Sequence, residues 1–222
     1  YVVERDQPSA QKDFLKGKCD YVRIGCSYDE KLASKKGFHK RLIPEVSMIR
    51  FNQKRQVTGN VHFRRAVTYA IDRKKIAASK TFHAKALYGI VPANYSYSPE
   101  NDVDYREDAG NIVGLDKKKA QNEWKQAQKE TGRNQVTLTL MFTENSRYSD
   151  ISGKIKKDLE TTLPGLQIKI KMVELNEKME QAFDYDYDMF YLSWQPSYVD
   201  PLAFIVNGGM EHLREDHQNP DY

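Results

Sequence analysis

From residue 136 to residue 193 the chain alternates between short apolar runs of strand type and longer amphipathic runs of helix type. The strand-like runs are residues 136–142, 166–173 and 187–193, and apolar residues at helical spacing fill the two segments between them. A strand, helix, strand, helix, strand order implies right-handed crossovers between parallel strands. The sequence therefore predicts an α/β fold with a mixed, mostly parallel sheet and helices on both of its faces.

Two further helices are predicted upstream of this repeat. Asn60 is an N-cap residue for a helix whose apolar residues recur at helical spacing as far as Ile71. Asp116 opens a second helix, over residues 117–131, and Gly132 ends it. The length of 222 residues would tolerate two small domains, but we expect one domain that spans residues 1–222.

The remaining upstream segments are predicted as strands and a long loop. Residues 46–51 and residues 19–25 have strand-like apolar content. Residues 82–114 are rich in Tyr, Pro, Asn and Gly and are too long for an ordinary connection. They are either a functional loop or a segment that its aromatic residues pin onto the domain.

The charge pattern argues against a nucleic-acid partner. The chain carries 35 Lys and Arg against 31 Asp and Glu, for a net charge of +4, and the two signs are interspersed. Such a pattern is typical of a solvated surface, so we expect no nucleic acid to bind. No apolar run reaches the length of a membrane span. The chain begins at Tyr1 in strand-like sequence without Met, which favours a piece of a longer protein.

The cysteines and acidic clusters do not match known metal or redox motifs. Cys19 and Cys26 are too far apart for a C-x-x-C motif, and we expect two free thiols, with a disulfide as the alternative. Asp184, Asp186 and Asp188 lack the Gly and Glu of a calcium loop. A cluster in the tail offers two imidazoles and two carboxylates within seven residues, namely Glu211, His212, Asp216 and His217, but this is a weak signal for a metal site. We therefore expect no metal and no cofactor.

No catalytic motif of the common hydrolases, nucleotide-binding enzymes or metalloproteases is present. What the sequence does offer is the place where three predicted parallel strands end together. Hydroxyl, amide and aromatic groups follow those ends, namely Thr143, Asn145, Ser146, Tyr148, Trp194, Ser197 and Tyr198. This set suits non-covalent recognition of an extended polar ligand. The alternative is that Trp194 and Tyr198 are core or rim aromatics.

Several motifs together resemble one protein family. They are F-N-Q-K (51–54), R-R-A-V-T-Y-A-I-D-R-K-K-I (64–76), Y-G-I-V-P (88–92), S-P-E-N (98–101), R-E-D-A-G-N (106–111), Y-D-M-F-Y-L-S-W with Y-V-D-P (187–201) and N-P-D-Y (219–222). In this order they resemble the C-terminal lobe of bacterial extracellular oligopeptide-binding proteins, solute-binding family 5, of the Gram-positive type.

The resemblance implies one lobe of a type II periplasmic-binding-protein fold. Such a lobe closes with an N-terminal lobe on an oligopeptide and delivers the peptide to ABC permease subunits in the membrane. The full-length protein would be extracellular and lipid-anchored, or periplasmic. It would be no enzyme, although an unrecognised hydrolase is the alternative from another class. The ligand-binding residues expected from the sequence are Trp194, Ser197, Tyr198, Asn145, Tyr148 and Asn52.

Ser197 departs from the family pattern. In many peptide-binding relatives an Asp at this position pairs with the α-amino group of the ligand. A hydroxyl accepts a hydrogen bond without supplying charge, so a contribution of about 1.5 to 3 kcal/mol falls toward roughly 1 kcal/mol. The cations that some relatives use for the peptide C-terminus have no counterpart at Ala182 or Tyr191. A receptor for signalling peptides with a blocked amine is the alternative that this departure favours.

Overall fold

The computed structural model describes residues 6–25, 28, 30–41, 43–79, 84–145 and 147–208. Its contacts divide the chain into two compact units, one formed by Tyr1–Ile43 with Lys74–Ala86 and one by Pro44–Arg73 with Leu87–Tyr222. The expectation of a single lobe over residues 1–222 stays a prediction. The sheet and its candidate site belong entirely to the second unit.

Within the described residues, the elements are α1 (Gln7–Leu15), α2 (Glu30–Ala33), β1 (Val46–Phe51), α3 (Val61–Ala70), α4 (Arg73–Ala77), α5 (Tyr105–Ala109), α6 (Lys117–Thr131), β2 (Val136–Thr143), α7 (Arg147–Thr162), β3 (Leu166–Val173), α8 (Leu175–Phe183), β4 (Met189–Trp194) and α9 (Pro201–Gly208). The elements from β2 to β4 follow the order that the repeat predicts. None of these helices is both long enough and apolar enough to cross a membrane.

The sheet has the strand order β1-β4-β2-β3. β2 and β3 run parallel in register from Val136 and Leu166 to Thr143 and Val173. β4 also runs parallel to β2, whereas β1 runs antiparallel to β4. The prediction of a mixed, mostly parallel sheet is confirmed.

One face of the sheet is covered by α3, α6 and α7. Phe63 of α3 lies against Phe51 of β1 at 6.0 Å between ring centroids and against Trp124 of α6 at 5.8 Å. Asn60 caps α3 because its side chain accepts a hydrogen bond from the backbone N–H of Phe63 at 3.0 Å. Asp116 caps α6 in the same way. The predicted starts of both helices are confirmed.

The opposite face is covered by α8, α9 and residues 87–105. Phe190 of β4 packs with Met141 of β2 and with Ala182 of α8. Farther along the same face, Val46 packs with Val91 and Phe204 in a second apolar cluster. The segment that contains Val91 is therefore pinned to the sheet by its apolar and aromatic residues, which is one of the two alternatives that the sequence left open.

The strand predicted over residues 19–25 does not form. The described residues there have no regular structure, and Tyr21 is 79% exposed. An extended run is a stable strand only when a partner strand accepts and donates its backbone hydrogen bonds. The described part of the chain pairs no strand with it, so this prediction is wrong.

Asn52 ties the end of β1 to the segment that leads into β4. Its side chain is 1% exposed, and its Nδ2 donates to the carbonyl oxygens of Tyr185 and Tyr187 at 2.7 and 2.9 Å. Its Oδ1 accepts from the backbone N–H of Lys54 at 3.0 Å. Because buried backbone groups need partners, this one amide fixes the turn that precedes β4.

We expect Asn52→Ala to lower the free energy of unfolding by about 2 to 4 kcal/mol, because two carbonyls lose their donor. Urea unfolding of the full-length protein measures the change. Asn122→Ala is the matched control, because Asn122 is an exposed residue of α6. Equal stability of the two variants would contradict the role given to Asn52.

Candidate functional site

The carboxyl ends of β2, β3 and β4 meet at one edge of the sheet, as parallel strands require. The backbone N–H of Glu144 donates to the carbonyl of Val173 at 2.7 Å, which holds the first two of these ends together. An open pocket of about 470 Å³ lies at this edge, and we call it the edge pocket. It is lined by Thr143, Glu144, Glu174, Leu175 and Asn176.

Trp194 is the last residue of β4 and is half-buried. Its ring meets the ring of Phe204 edge-on, at 5.4 Å between centroids and 83° between planes. It also packs against the apolar cluster that contains Val46 and Tyr95. The indole therefore packs against the core while part of it stays accessible, and its role as a ligand contact stays a prediction.

The loop after Trp194 presents Ser197 and Tyr198 to solvent on a fixed backbone. Ser197 is exposed, and Tyr198 is 59% exposed. The backbone is held because the hydroxyl of the buried Tyr95 donates to the carbonyl of Tyr198. Farther on, the side chain of Asp200 accepts from the backbone N–H of Leu202 at 2.7 Å as α9 begins.

Asn145 and Tyr148 both follow β2 in the chain, but their side chains differ in solvent exposure. Asn145 is exposed, and its carbonyl accepts from the backbone N–H of Tyr148 at 3.0 Å. Tyr148 is 7% exposed, and its ring lies 6.0 Å from Phe142 and 5.5 Å from Tyr191 between centroids. Its ring therefore forms part of the core beneath the edge. Ser146, which the sequence placed with them, lies outside the described residues.

The structure does not bring Asn52 to this edge. Phe51, its neighbour, pairs with Met189 at the start of β4, whereas Trp194 ends that strand. Five residues of strand separate the two positions by about 17 Å. Because Asn52 is also buried and engaged by backbone groups, it has a structural role instead.

Sequence reasoning missed Lys178, which lies on the inner face of α8. The outer face of this helix carries the apolar residues Leu175, Met179 and Phe183, which are all partly exposed, while Lys178 is 5% exposed. Ala182 packs against the sheet, and residues i and i+4 share a helix face. The position of Lys178 four residues before Ala182 was therefore the available sign that this lysine is buried.

The Lys178 ammonium is bound by neutral oxygens. Its Nζ donates to Thr143 Oγ1 at 2.9 Å and to the carbonyl of Tyr191 at 2.8 Å. It also lies 5.7 Å from the ring centroid of Phe190. Among the described residues no carboxylate pairs with it. Burial lowers the pKa of this ammonium, because desolvation disfavours its charged form.

Metal-binding residues do not come together in the described part of the chain, where no group of three or more His, Cys, Asp or Glu could hold an ion. The tail residues Glu211, His212, Asp216 and His217 lie outside that part. Cys19 is a free thiol, and Cys26 also lies outside the described residues.

The fold is a helix-covered α/β sheet with exposed polar and aromatic groups and a pocket at its carboxyl edge. This arrangement is typical of ligand-binding α/β domains. The chain belongs to the bacterial extracellular solute-binding proteins, family 5, because the family model described as the middle part of these proteins matches residues 1–209. The resemblance noted in the sequence is confirmed.

Individual relatives agree with this assignment. The dipeptide-binding protein DppE of Bacillus subtilis is 25% identical over 158 residues, which are 70% of this chain and 28% of the relative. Among solved structures, Listeria monocytogenes OppA bound to peptide matches with a TM-score of 0.78 and 27% identity, over 91% of this chain and 41% of the other.

The pheromone receptor PrgZ, solved with its mode of peptide binding, matches with a TM-score of 0.77 and 22% identity, over 91% of this chain and 40% of the other. At this identity the likeness concerns the fold alone. The chain spans less than half the length of each of these relatives.

We expect Tyr95→Phe to loosen the loop after Trp194, because it removes the donor to the carbonyl of Tyr198 and keeps the ring against Phe204. Loss of one hydrogen bond of about 1 kcal/mol predicts roughly fivefold faster amide exchange over residues 197–200. Hydrogen exchange with mass spectrometry measures it. Tyr97→Phe, at an exposed tyrosine of the same segment, is the control, and equal exchange in both variants would refute the anchoring role.

We expect Lys178 to make stability rise with pH in the alkaline range. The pKa of Lys178 is lowered in the folded protein, so between that pKa and the ordinary lysine value the unfolded chain binds more protons. The cost of the buried charge is complete below this window and is lost as pH rises through it.

Urea unfolding of the full-length protein between pH 7 and pH 10 tests this expectation. The free energy of unfolding of the wild type is expected to rise relative to that of Lys178→Met as pH rises. Lys118→Met, at an exposed position of α6, is the control, and its difference from the wild type is expected to change less with pH. A wild-type advantage over Lys178→Met that falls with pH would contradict the assignment.

Proposed function

We propose that this chain is the ligand-binding part of an extracellular oligopeptide-binding subunit of an ABC importer. The observation that carries the proposal is the carboxyl edge of the sheet. There a fixed loop presents Ser197 and Tyr198 after the half-buried Trp194, and the edge pocket opens where β2 and β3 end. Family membership and the peptide-binding relatives support the choice of ligand.

The proposed mechanism is non-covalent capture. The chain supplies one wall of the site, and an N-terminal lobe of the full-length protein closes over the peptide from the other side. Closure removes water from the polar groups of the peptide, whose backbone then bonds to side chains and ordered waters. The loaded protein delivers the peptide to the ABC permease subunits in the membrane. The full-length protein is held outside the cell by a lipid anchor or lies in the periplasm.

The ligand contacts differ in kind. The exposed side of Trp194 provides apolar and stacking surface, while the Ser197 hydroxyl and the Tyr198 phenol provide hydrogen bonds. Asn145 extends this polar surface toward β2. Tyr148 supports it from beneath, because its ring lies against Phe142 and Tyr191.

A receptor for signalling peptides is the second candidate. Ser197 favours it, because the exposed loop offers an uncharged group at the position where many relatives hold the amine of the ligand with a carboxylate. A ligand whose amino terminus is blocked needs no such carboxylate. With Ser197 at this position, neither candidate draws a strong preference for a free amino terminus from this loop.

We expect Ser197→Asp to create a preference for a free amino terminus. In calorimetry on the full-length protein, the wild type is expected to bind tetra-alanine and N-acetyl-tetra-alanine with similar affinity. The variant is expected to prefer the free amine by about tenfold or more, as a charged hydrogen bond of 1.5 to 3 kcal/mol predicts.

Val199→Asp is the matched control, because Val199 is exposed on the same loop and gains the same charge two residues away. An equal preference in both variants would show a general charge effect and not a contact at Ser197. If the wild type bound neither probe and also bound no peptide from a mixed pool of short peptides, the proposed function itself would be overturned.

A further inference from the structure

The inner wall of the edge pocket contains a donor that the described structure leaves without an acceptor. Thr143 lines the pocket, and its Oγ1 accepts a hydrogen bond from Lys178 Nζ at 2.9 Å. A hydroxyl that accepts from an ammonium keeps its own hydrogen for a different partner. No described residue accepts that hydrogen, so the Thr143 hydroxyl is available as a donor at the pocket.

The ammonium makes this donor stronger than an ordinary hydroxyl. Lys178 is nearly fully buried and has no carboxylate partner among the described residues. Inside a protein, successive hydrogen bonds polarise one another, and a cation at the start of the chain has the largest effect. The Thr143 hydroxyl is therefore suited to donate to an oxygen of a ligand.

Packing alone does not explain a lysine at this position. The carbonyl of Tyr191 needs a donor because β4 pairs with β2 only at Met189 and Phe190. A neutral amide could supply that donor without the cost of desolvating a charge, which amounts to several kcal/mol for a buried ion. A buried cation that bridges Tyr191 and Thr143 therefore points to a role at the pocket.

The lining of the same pocket also presents acceptors. Glu144 and Glu174 line it and are exposed, and a carboxylate accepts hydrogen bonds without donating any. Glu174 stands at the N-cap position of α8 but makes no side-chain cap. Its carboxylate is therefore not engaged by the helix and remains available to the pocket.

We propose that the edge pocket holds one peptide unit of the ligand backbone. The Thr143 hydroxyl donates to the carbonyl oxygen of that unit, and Glu144 or Glu174 accepts from an adjacent N–H. Lys178 is a positioning residue, which orients and polarises the Thr143 hydroxyl without touching the peptide. The inference rests on the proposed function, which it deepens by assigning a backbone contact.

The first test is calorimetry of tetra-alanine binding to the full-length protein and its Thr143 variants. Thr143→Val keeps the shape and removes the hydroxyl, and it is expected to weaken binding by about threefold to tenfold. Thr143→Ser keeps the hydroxyl and is expected to restore most of the affinity. Equal affinity of wild type and Thr143→Val would overturn the assignment, as would equal weakening by Val and Ser.

The second test measures the coupling between Lys178 and Thr143. Lys178→Met is expected to weaken binding severalfold in the wild-type background and to have little further effect in the Thr143→Val background. A purely structural lysine would change stability alone, or would change affinity by the same factor in both backgrounds, and either result would overturn its positioning role.

Failure of this inference is distinguishable from failure of the proposed function. Wild-type protein that binds tetra-alanine and loses no affinity in Thr143→Val refutes the backbone contact and leaves peptide binding intact. Wild-type protein that binds neither tetra-alanine nor a mixed pool of short peptides refutes peptide binding. Circular dichroism and thermal unfolding of each variant identify those that fail to fold. Thr143→Ala, which also removes the hydroxyl, replaces Thr143→Val if that variant does not fold.

Discussion

The short parallel contact between β4 and β2 is the constraint on which this sheet depends. The two strands pair only at Leu140 with Met189 and at Met141 with Phe190. Beyond each end of this contact a side chain supplies the missing bond: Asp188 accepts from the backbone N–H of Thr139, and Lys178 donates to the carbonyl of Tyr191. Polar groups thus complete the sheet at both ends of this contact, and Lys178 does so at the carboxyl end, where the candidate site lies.

Elements with strong local signals were predictable from the sequence. The bounds of α6 follow from Asp116 and Gly132, which sits at φ 67° as a C-cap glycine does. The bounds of β3 follow from its alternation and from the Pro-Gly turn before it. Residues 19–25 have similar apolar content but no partner strand, and pairing between distant segments is not visible in a local pattern.

The candidate site was predictable where it depends on strand direction and unpredictable where it depends on burial. Trp194, Ser197 and Tyr198 come to the edge because β4 ends there. Asn52 also follows a strand, but that strand is antiparallel, so the same rule places it at the opposite end of the sheet. Lys178 was missed because its burial depends on which face of α8 meets the sheet.

The hydrogen bond from Tyr95 to the carbonyl of Tyr198 spans about a hundred residues of sequence. It fixes the loop after Trp194 during folding, before any ligand arrives. The conformational entropy of those residues is therefore lost during folding and not on ligand binding. More of the energy of each ligand contact then appears as affinity. Under the proposed function, the tightness of ligand capture therefore depends partly on Tyr95, in the segment that precedes α5.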